Sequence, residues 1–157
     1  MSRTRSTALL LAFVAFCLAV GSAGSFATMQ SVATWYPTLA KPAWNPPAAV
    51  FGPVWTMLYI LMGIAGWLVW TTATAGRTRT MIPFGIQLAL NAAWSFLFFG
   101  FRQPGWAALE ILLLWLAIVW TMIAFRKVRT AAAVLLAPYL LWVTFAAALN
   151  ITLWRLN

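Results

Sequence analysis

The chain has 157 residues, of which 64% are hydrophobic and only 7% charged. A soluble domain usually carries about a quarter charged residues to build its polar shell, so this composition excludes a water-soluble globule and requires lipid over most of the surface. The net charge of +9 does not mark a nucleic-acid binder, because Glu110 is the one acidic side chain and the ten Lys and Arg sit in small groups between long apolar runs.

The reactive residues are as sparse as the charged ones. Cys17 is the single cysteine and there is no histidine. A protein-ligated zinc site and a Ser-His-Asp triad therefore cannot be assembled from these side chains. No metal site is expected, and no cofactor is required by the residues present.

Taken in chain order, five segments have the roughly 20 apolar residues that a helix needs to cross a bilayer. The first spans residues 7–28. It follows Arg3 and Arg5 and ends near Gly21, Ser22 and Ala23, a pattern shared with cleaved leader segments. Its apolar run continues to Thr28, long enough to span, so we expect it to be retained. The second spans 48–73 and starts after Pro46 and Pro47, a natural place for a helix to begin. The third, fourth and fifth span 81–101, 104–125 and 130–154, with short connections that require antiparallel neighbours. The expected fold is thus all-α: one transmembrane domain, residues 1–157, built as a five-helix bundle.

The stretch from Gln30 to Pro47 differs from the other connections. It holds Pro37, Pro42, Pro46 and Pro47, too many for a long helix, together with Trp35, Tyr36 and Trp44. Irregular backbone is costly in lipid, so this loop is expected at the membrane surface as a lid over one end of the bundle. Resting on the headgroups through its aromatics is the plainer alternative. Arg3, Arg5, Arg77, Arg79, Arg126, Lys127 and Arg129 fall on one side of such a bundle, against Lys41, Arg102 and Arg155 on the other. The positive-inside rule then places the N-terminus in the cytoplasm, and the loop and C-terminus outside.

Inside the spans, polar and aromatic residues recur at helical spacing. The third has Gln87, Asn91, Trp94 and Ser95; the fourth Trp106, Glu110 and Leu113; the fifth Tyr139, Trp142, Ala146, Leu149 and Asn150; the second Trp55 and Tyr59. The amides most simply hydrogen-bond between helices, each contributing about 1 kcal/mol. Eleven tryptophans exceed what two interfacial belts require, and an aromatic-lined cavity with few polar groups suits a flat apolar ligand such as a tetrapyrrole. Glu110 is either a functional intramembrane carboxylate or a structural partner of nearby Arg102. The small residues at 21–25 and 146–148 serve close helix packing or a pocket wall.

Three blocks resemble one known family. The first is Trp35-Tyr36, Leu39, Lys41-Pro42, Trp44, Asn45-Pro46-Pro47, Phe51, Pro53, Trp55, Leu58-Tyr59 and Met62-Gly63. The second is Gln87 to Asn91, Trp94, Phe98-Phe99-Gly100, Arg102-Gln103, Gly105-Trp106-Ala107 and Glu110. The third is Pro138-Tyr139, Trp142, Phe145-Ala146, Leu149-Asn150 and Trp154-Arg155. In this order they resemble the translocator protein or tryptophan-rich sensory protein family (TspO/MBR), also known as peripheral benzodiazepine receptors.

The resemblance implies a five-helix bundle, often a homodimer, that binds porphyrins, haem precursors and drug-like hydrophobic ligands beneath its first loop. By position, the implied pocket residues are Phe51, Val54, Trp55, Asn91, Trp94, Trp106, Leu109, Leu113, Trp142, Ala146 and Leu149. The implied lid is Trp35, Tyr36, Lys41, Pro42, Trp44 and Asn45. Trp55 and Trp142 match the tryptophans associated in bacterial members with light- and oxygen-dependent porphyrin breakdown. The chain departs from the family in three places. Ile151 and Thr152 stand at the tyrosine positions of the animal sterol motif, so tight sterol binding is not expected. Ile86 replaces a helix-packing glycine of some members, and Ala43 and Ala49 replace tryptophans of some relatives. Binding and sensing of tetrapyrroles is the leading expectation, with porphyrin photo-oxidation and solute transport as alternatives. The expected partners are the bilayer and such a ligand, not nucleic acid.

Overall fold

Long apolar segments have few choices in lipid, because each must satisfy its backbone hydrogen bonds internally. The computed structural model describes residues 2–73 and 76–157 and answers this constraint with helices, no strand being present among the described residues. The order is α1 (Arg3–Thr34), α2 (Ala48–Thr72), α3 (Arg77–Ser95), α4 (Pro104–Arg126), α5 (Thr130–Leu135) and α6 (Ala137–Leu156). α5 and α6 are two parts of one span, so five helical segments are long and apolar enough to cross a membrane. The protein is an all-α integral membrane bundle.

Proline and glycine chemistry accounts for the breaks. Pro138 has no N–H to offer the preceding turn, and the span bends at Leu136 between α5 and α6. α3 closes with a π-helical turn over Phe96–Gly100, after which Arg102 takes a left-handed conformation (φ 54°) that turns the chain into α4. Pro104 then opens α4 at its first position, where a missing N–H costs nothing.

The first helix is longer than expected. Residues 30–34, assigned from sequence to the loop, continue α1 to Thr34. The helix stops only at Trp35, because Pro37 has no N–H to bond the carbonyl four residues back and no proline occurs earlier in α1. The lid is correspondingly shorter, a single 3₁₀ turn at Tyr36–Thr38 followed by extended chain to Pro47.

α1 and α2 pack at very close range. A Cβ added at Gly63 would lie 2.6 Å from the Val14 Cα, and one at Gly21 would lie 2.2 Å from the Tyr59 ring. The absent side chains thus let the Val14 backbone approach α2 at Gly63 and the Tyr59 ring lie against α1 at Gly21, the usual means of helix association without a hydrophobic driving force. A buried core of Leu58, Met62, Leu88, Ile111, Ile118, Phe125 and Tyr139 fills the bundle away from the loop. A smaller cluster of Phe98, Ala107, Leu149 and Leu153 supports its loop end. The space between these two packed regions holds the site.

Candidate functional site: an aromatic cavity beneath the loop

A cavity of about 520 Å³ opens between α1, α2, α6 and the end of α3, under the loop. Its aromatic wall is Phe51 and Trp55 from α2, Trp94 and Phe98 from α3 and the turn beyond it, and Trp142 from α6. Ala146 and Leu149, one and two turns beyond Trp142, form the small and aliphatic side. The rings brace one another rather than hanging free. Phe51 meets Trp142 edge-on at 5.8 Å, Trp55 stacks on Tyr59 at 5.7 Å, and Trp94 stacks on Phe98 at 5.2 Å. Among the described residues no charged side chain lines the cavity.

Amide girders hold this wall in place. The Tyr59 hydroxyl donates to Asn91 Oδ1, and Asn91 Nδ2 donates to the Tyr139 hydroxyl at 3.0 Å, joining α2, α3 and α6. The Trp94 indole N–H donates to Asn150 Oδ1 at 3.0 Å, and Asn150 Nδ2 donates to the Pro104 carbonyl at 2.8 Å, joining α3, α6 and α4. These are the inter-helix hydrogen bonds anticipated for the amides. Gln87 is the exception: its Nε2 reaches only the Met62 sulfur at 3.8 Å, and its Oε1 has no partner. The Trp142 Nε1 is likewise buried with no partner in the protein.

The loop is latched over the cavity. The Tyr36 hydroxyl donates to Asn45 Oδ1 at 2.8 Å, and Lys41 Nζ donates to the carbonyls of Pro37 and Leu39 while lying 5.0 Å from the Tyr36 ring centre. Burial pushes the Tyr36 phenol above its ordinary value of 10.0, an effect partly opposed by the Asn45 hydrogen bond. The folded lid therefore favours the neutral phenol. That stabilisation is complete below pH 10.0 and is lost as pH rises through the raised value. Asn157 at the end of α6 clips the loop with two bonds to Ala40, one to its carbonyl and one from its N–H. Trp44 packs edge-on against Phe145 at 5.8 Å.

The residues singled out from sequence divide into three groups. Phe51, Trp55, Trp94, Trp142, Ala146 and Leu149 come together around the cavity. Asn91 lies behind the wall, occupied by its two tyrosines, and Val54 packs into the core beside it. Of the lid residues only Tyr36 faces the cavity, while Trp35, Lys41, Pro42, Trp44 and Asn45 build the roof around it.

Trp106, Leu109 and Leu113 do not join them. They are 65%, 54% and 51% exposed, on the outer face of α4. That helix is apolar all round, so hydropathy alone does not choose its inner face. The face that packs is the one carrying Ala107, Ile111, Leu114 and Ile118. Glu110 sits at the edge of this buried arc with both carboxylate oxygens unpartnered, so of the roles open to it from sequence the pairing with Arg102 is not made.

The sequence reading underweighted α1, whose Leu18, Gly21, Ser22, Ser25, Thr28, Met29 and Val32 form a whole wall of the cavity. The cluster of small residues at 21–25 was the available signal. It serves both uses anticipated for it, close packing at Gly21 and a pocket wall at Ser22 and Ser25.

Comparison with known proteins agrees with this architecture. The profile of the TspO/MBR family matches residues 13–155. The chain belongs to the TspO/MBR family. The "Tryptophan-rich protein TspO" of Chlorobaculum tepidum is 46% identical over 148 residues, covering 92% of both chains. The protein of the same name from Archaeoglobus fulgidus is 42% identical over 94% of this chain and 96% of its own. The "Translocator protein" of Homo sapiens is 45% identical over 126 residues, 78% of this chain and 75% of its own. The TspO/MBR match contains every residue that lines the cavity, from Leu18 to Leu153. This chain is thus a membrane protein of a family whose named members are translocator and tryptophan-rich sensory proteins.

Proposed function

We propose that this TspO/MBR protein captures a flat, apolar ligand of the tetrapyrrole class in the cavity beneath its loop and acts as a membrane sensor of that ligand. The observation that carries the reading is the cavity wall itself. Four indole or phenyl faces, those of Phe51, Trp55, Trp94 and Trp142, surround an uncharged space of about 520 Å³, within the range of small-molecule pockets. A planar aromatic ring stacks well on such faces.

The test is a titration of protoporphyrin into the purified protein, following tryptophan fluorescence in the dark. Saturable quenching is expected, with the affinity of Trp55→Leu or Trp142→Leu lowered about fivefold, since an aromatic pair contributes about 1 kcal/mol beyond its buried area. Absence of saturable quenching at micromolar porphyrin removes the reading.

A second reading is favoured by the presence of Trp55 and Trp142 in the same cavity. An indole donates an electron to a light-excited porphyrin without any acid–base pair, and dissolved oxygen then serves as oxidant. On this reading, illumination in air bleaches bound porphyrin, and Trp142→Phe abolishes bleaching while dark binding persists. Parallel loss of binding and bleaching returns Trp142 to the role of a pocket wall.

A further inference from the structure

The cavity wall is uneven in one respect. Lining residues on α3, α6, the π turn and the loop are all buried or half-buried. The exposed ones are Ser22, Ser25 and Met29 on α1, and Ala48, Gly52 and Thr56 on α2. Exposure is therefore confined to one seam between neighbouring helices.

The other seams are shut. Phe51 against Trp142 and Trp55 against Tyr139 close the side between α2 and α6. Between α1 and α3, a Cβ at Gly24 would lie 3.0 Å from Ser95 Oγ, and Ser31 Oγ donates to the Phe99 carbonyl at 2.5 Å. The Trp94–Asn150 bond spans α3 and α6. Overhead, the loop is held by Tyr36–Asn45 and by the paired Ala40–Asn157 bonds.

α1 and α2 touch at Gly63 and Gly21, then part toward the loop. A Cβ added at Gly52 meets nothing within 4 Å. The rim of the resulting slot is chemically quiet. Hydroxyls of Ser22, Ser25 and Thr56 each donate to a carbonyl of their own helix, those of Leu18, Gly21 and Gly52. Among the described residues of the rim no hydroxyl is left free to donate and no charge is present, so an apolar solute crosses the rim without displacing a hydrogen bond.

We infer that the cavity exchanges its ligand sideways, through the α1–α2 slot into the loop-side half of the bilayer, while the loop stays latched. The ligand class is then a membrane-dissolved aromatic molecule whose uncharged ring leads through the slot, not a solute taken from water. This inference rests on the reading of the cavity as a ligand site.

The test uses the protein in lipid nanodiscs with protoporphyrin dimethyl ester, which is confined to the bilayer, as the probe. Association is read by stopped-flow tryptophan quenching, and dissociation by recovery when excess empty vesicles are added. Gly52→Trp and, independently, Thr56→Trp fill the slot from its exposed rim, whereas Asn157→Ala frees the loop. The slot variants are expected to slow association and dissociation together by about tenfold or more, with Asn157→Ala within about twofold of the unaltered protein. Unchanged rates in both folded slot variants, or acceleration by Asn157→Ala alone, overturn the lateral route while leaving the ligand site intact. No saturable quenching of the unaltered protein overturns the ligand site, and the route with it.

Discussion

Asn91 shows how much one side chain can hold inside a membrane bundle. Its amide oxygen accepts from Tyr59 and its amide nitrogen donates to Tyr139, so three helices meet at one residue. Asn91→Leu keeps the volume but leaves two buried phenols without partners. We expect a loss of about 1–3 kcal/mol, the cost of leaving such groups unsatisfied, read as a lower midpoint of unfolding in detergent. Glu110 presents the opposite case. Both its oxygens are buried and unpartnered. Replacing an unsatisfied polar group by an apolar one of similar shape is neutral or stabilising, so Glu110→Leu should leave the thermal midpoint unchanged or raised. A fall of several degrees would instead reveal a polar partner for the carboxylate. Glu110 was legible as an intramembrane carboxylate, but its lack of a partner was not, because sequence spacing places Arg102 nearby without showing that their side chains diverge.

Among the elements, the α1–α2 pair sets the shape of the site. Its contact at Gly63 leaves no room for a side chain, since a Cβ there would meet the Val14 backbone at 2.6 Å. Backbone cannot swing aside as a long side chain can. Gly63→Ala is therefore expected to cost about 1–3 kcal/mol, the usual penalty for overpacking, in thermal or denaturant unfolding. Gly85, where a Cβ meets nothing within 4 Å, is the control, and Gly85→Ala should be close to neutral. Sequence reading located the second to fifth spans to within a few residues, because length and apolarity alone decide what can cross a bilayer. It ended the first span too early. The aromatics and glutamine at residues 30–36 read as loop, whereas the helix yields only to Pro37.

For the whole molecule, the distribution of charge carries a prediction that packing does not. Seven of the ten basic residues, Arg3, Arg5, Arg77, Arg79, Arg126, Lys127 and Arg129, lie at the end of the bundle opposite the loop. By the positive-inside rule we predict that the loop lies outside. In intact cells, a membrane-impermeant maleimide should label Ala43→Cys on the exposed loop and spare Lys127→Cys until the membrane is opened. The reverse pattern would invert the orientation. Native Cys17 is buried and should contribute little background. What the amino-acid sequence by itself determined is the membrane class, the number of spans, the aromatic and amide stripes and the family, since each follows from composition, length or ordered motifs. Only the tertiary structure decided which side of each stripe faces inward. Lipid rewards an apolar surface as readily as the core does, so hydropathy set Ala107 and Ile111 no further inward than Trp106, Leu109 and Leu113. Packing against α3 and α6 made that choice, and the parting of α1 from α2 beyond Gly21 left the cavity open on a single side.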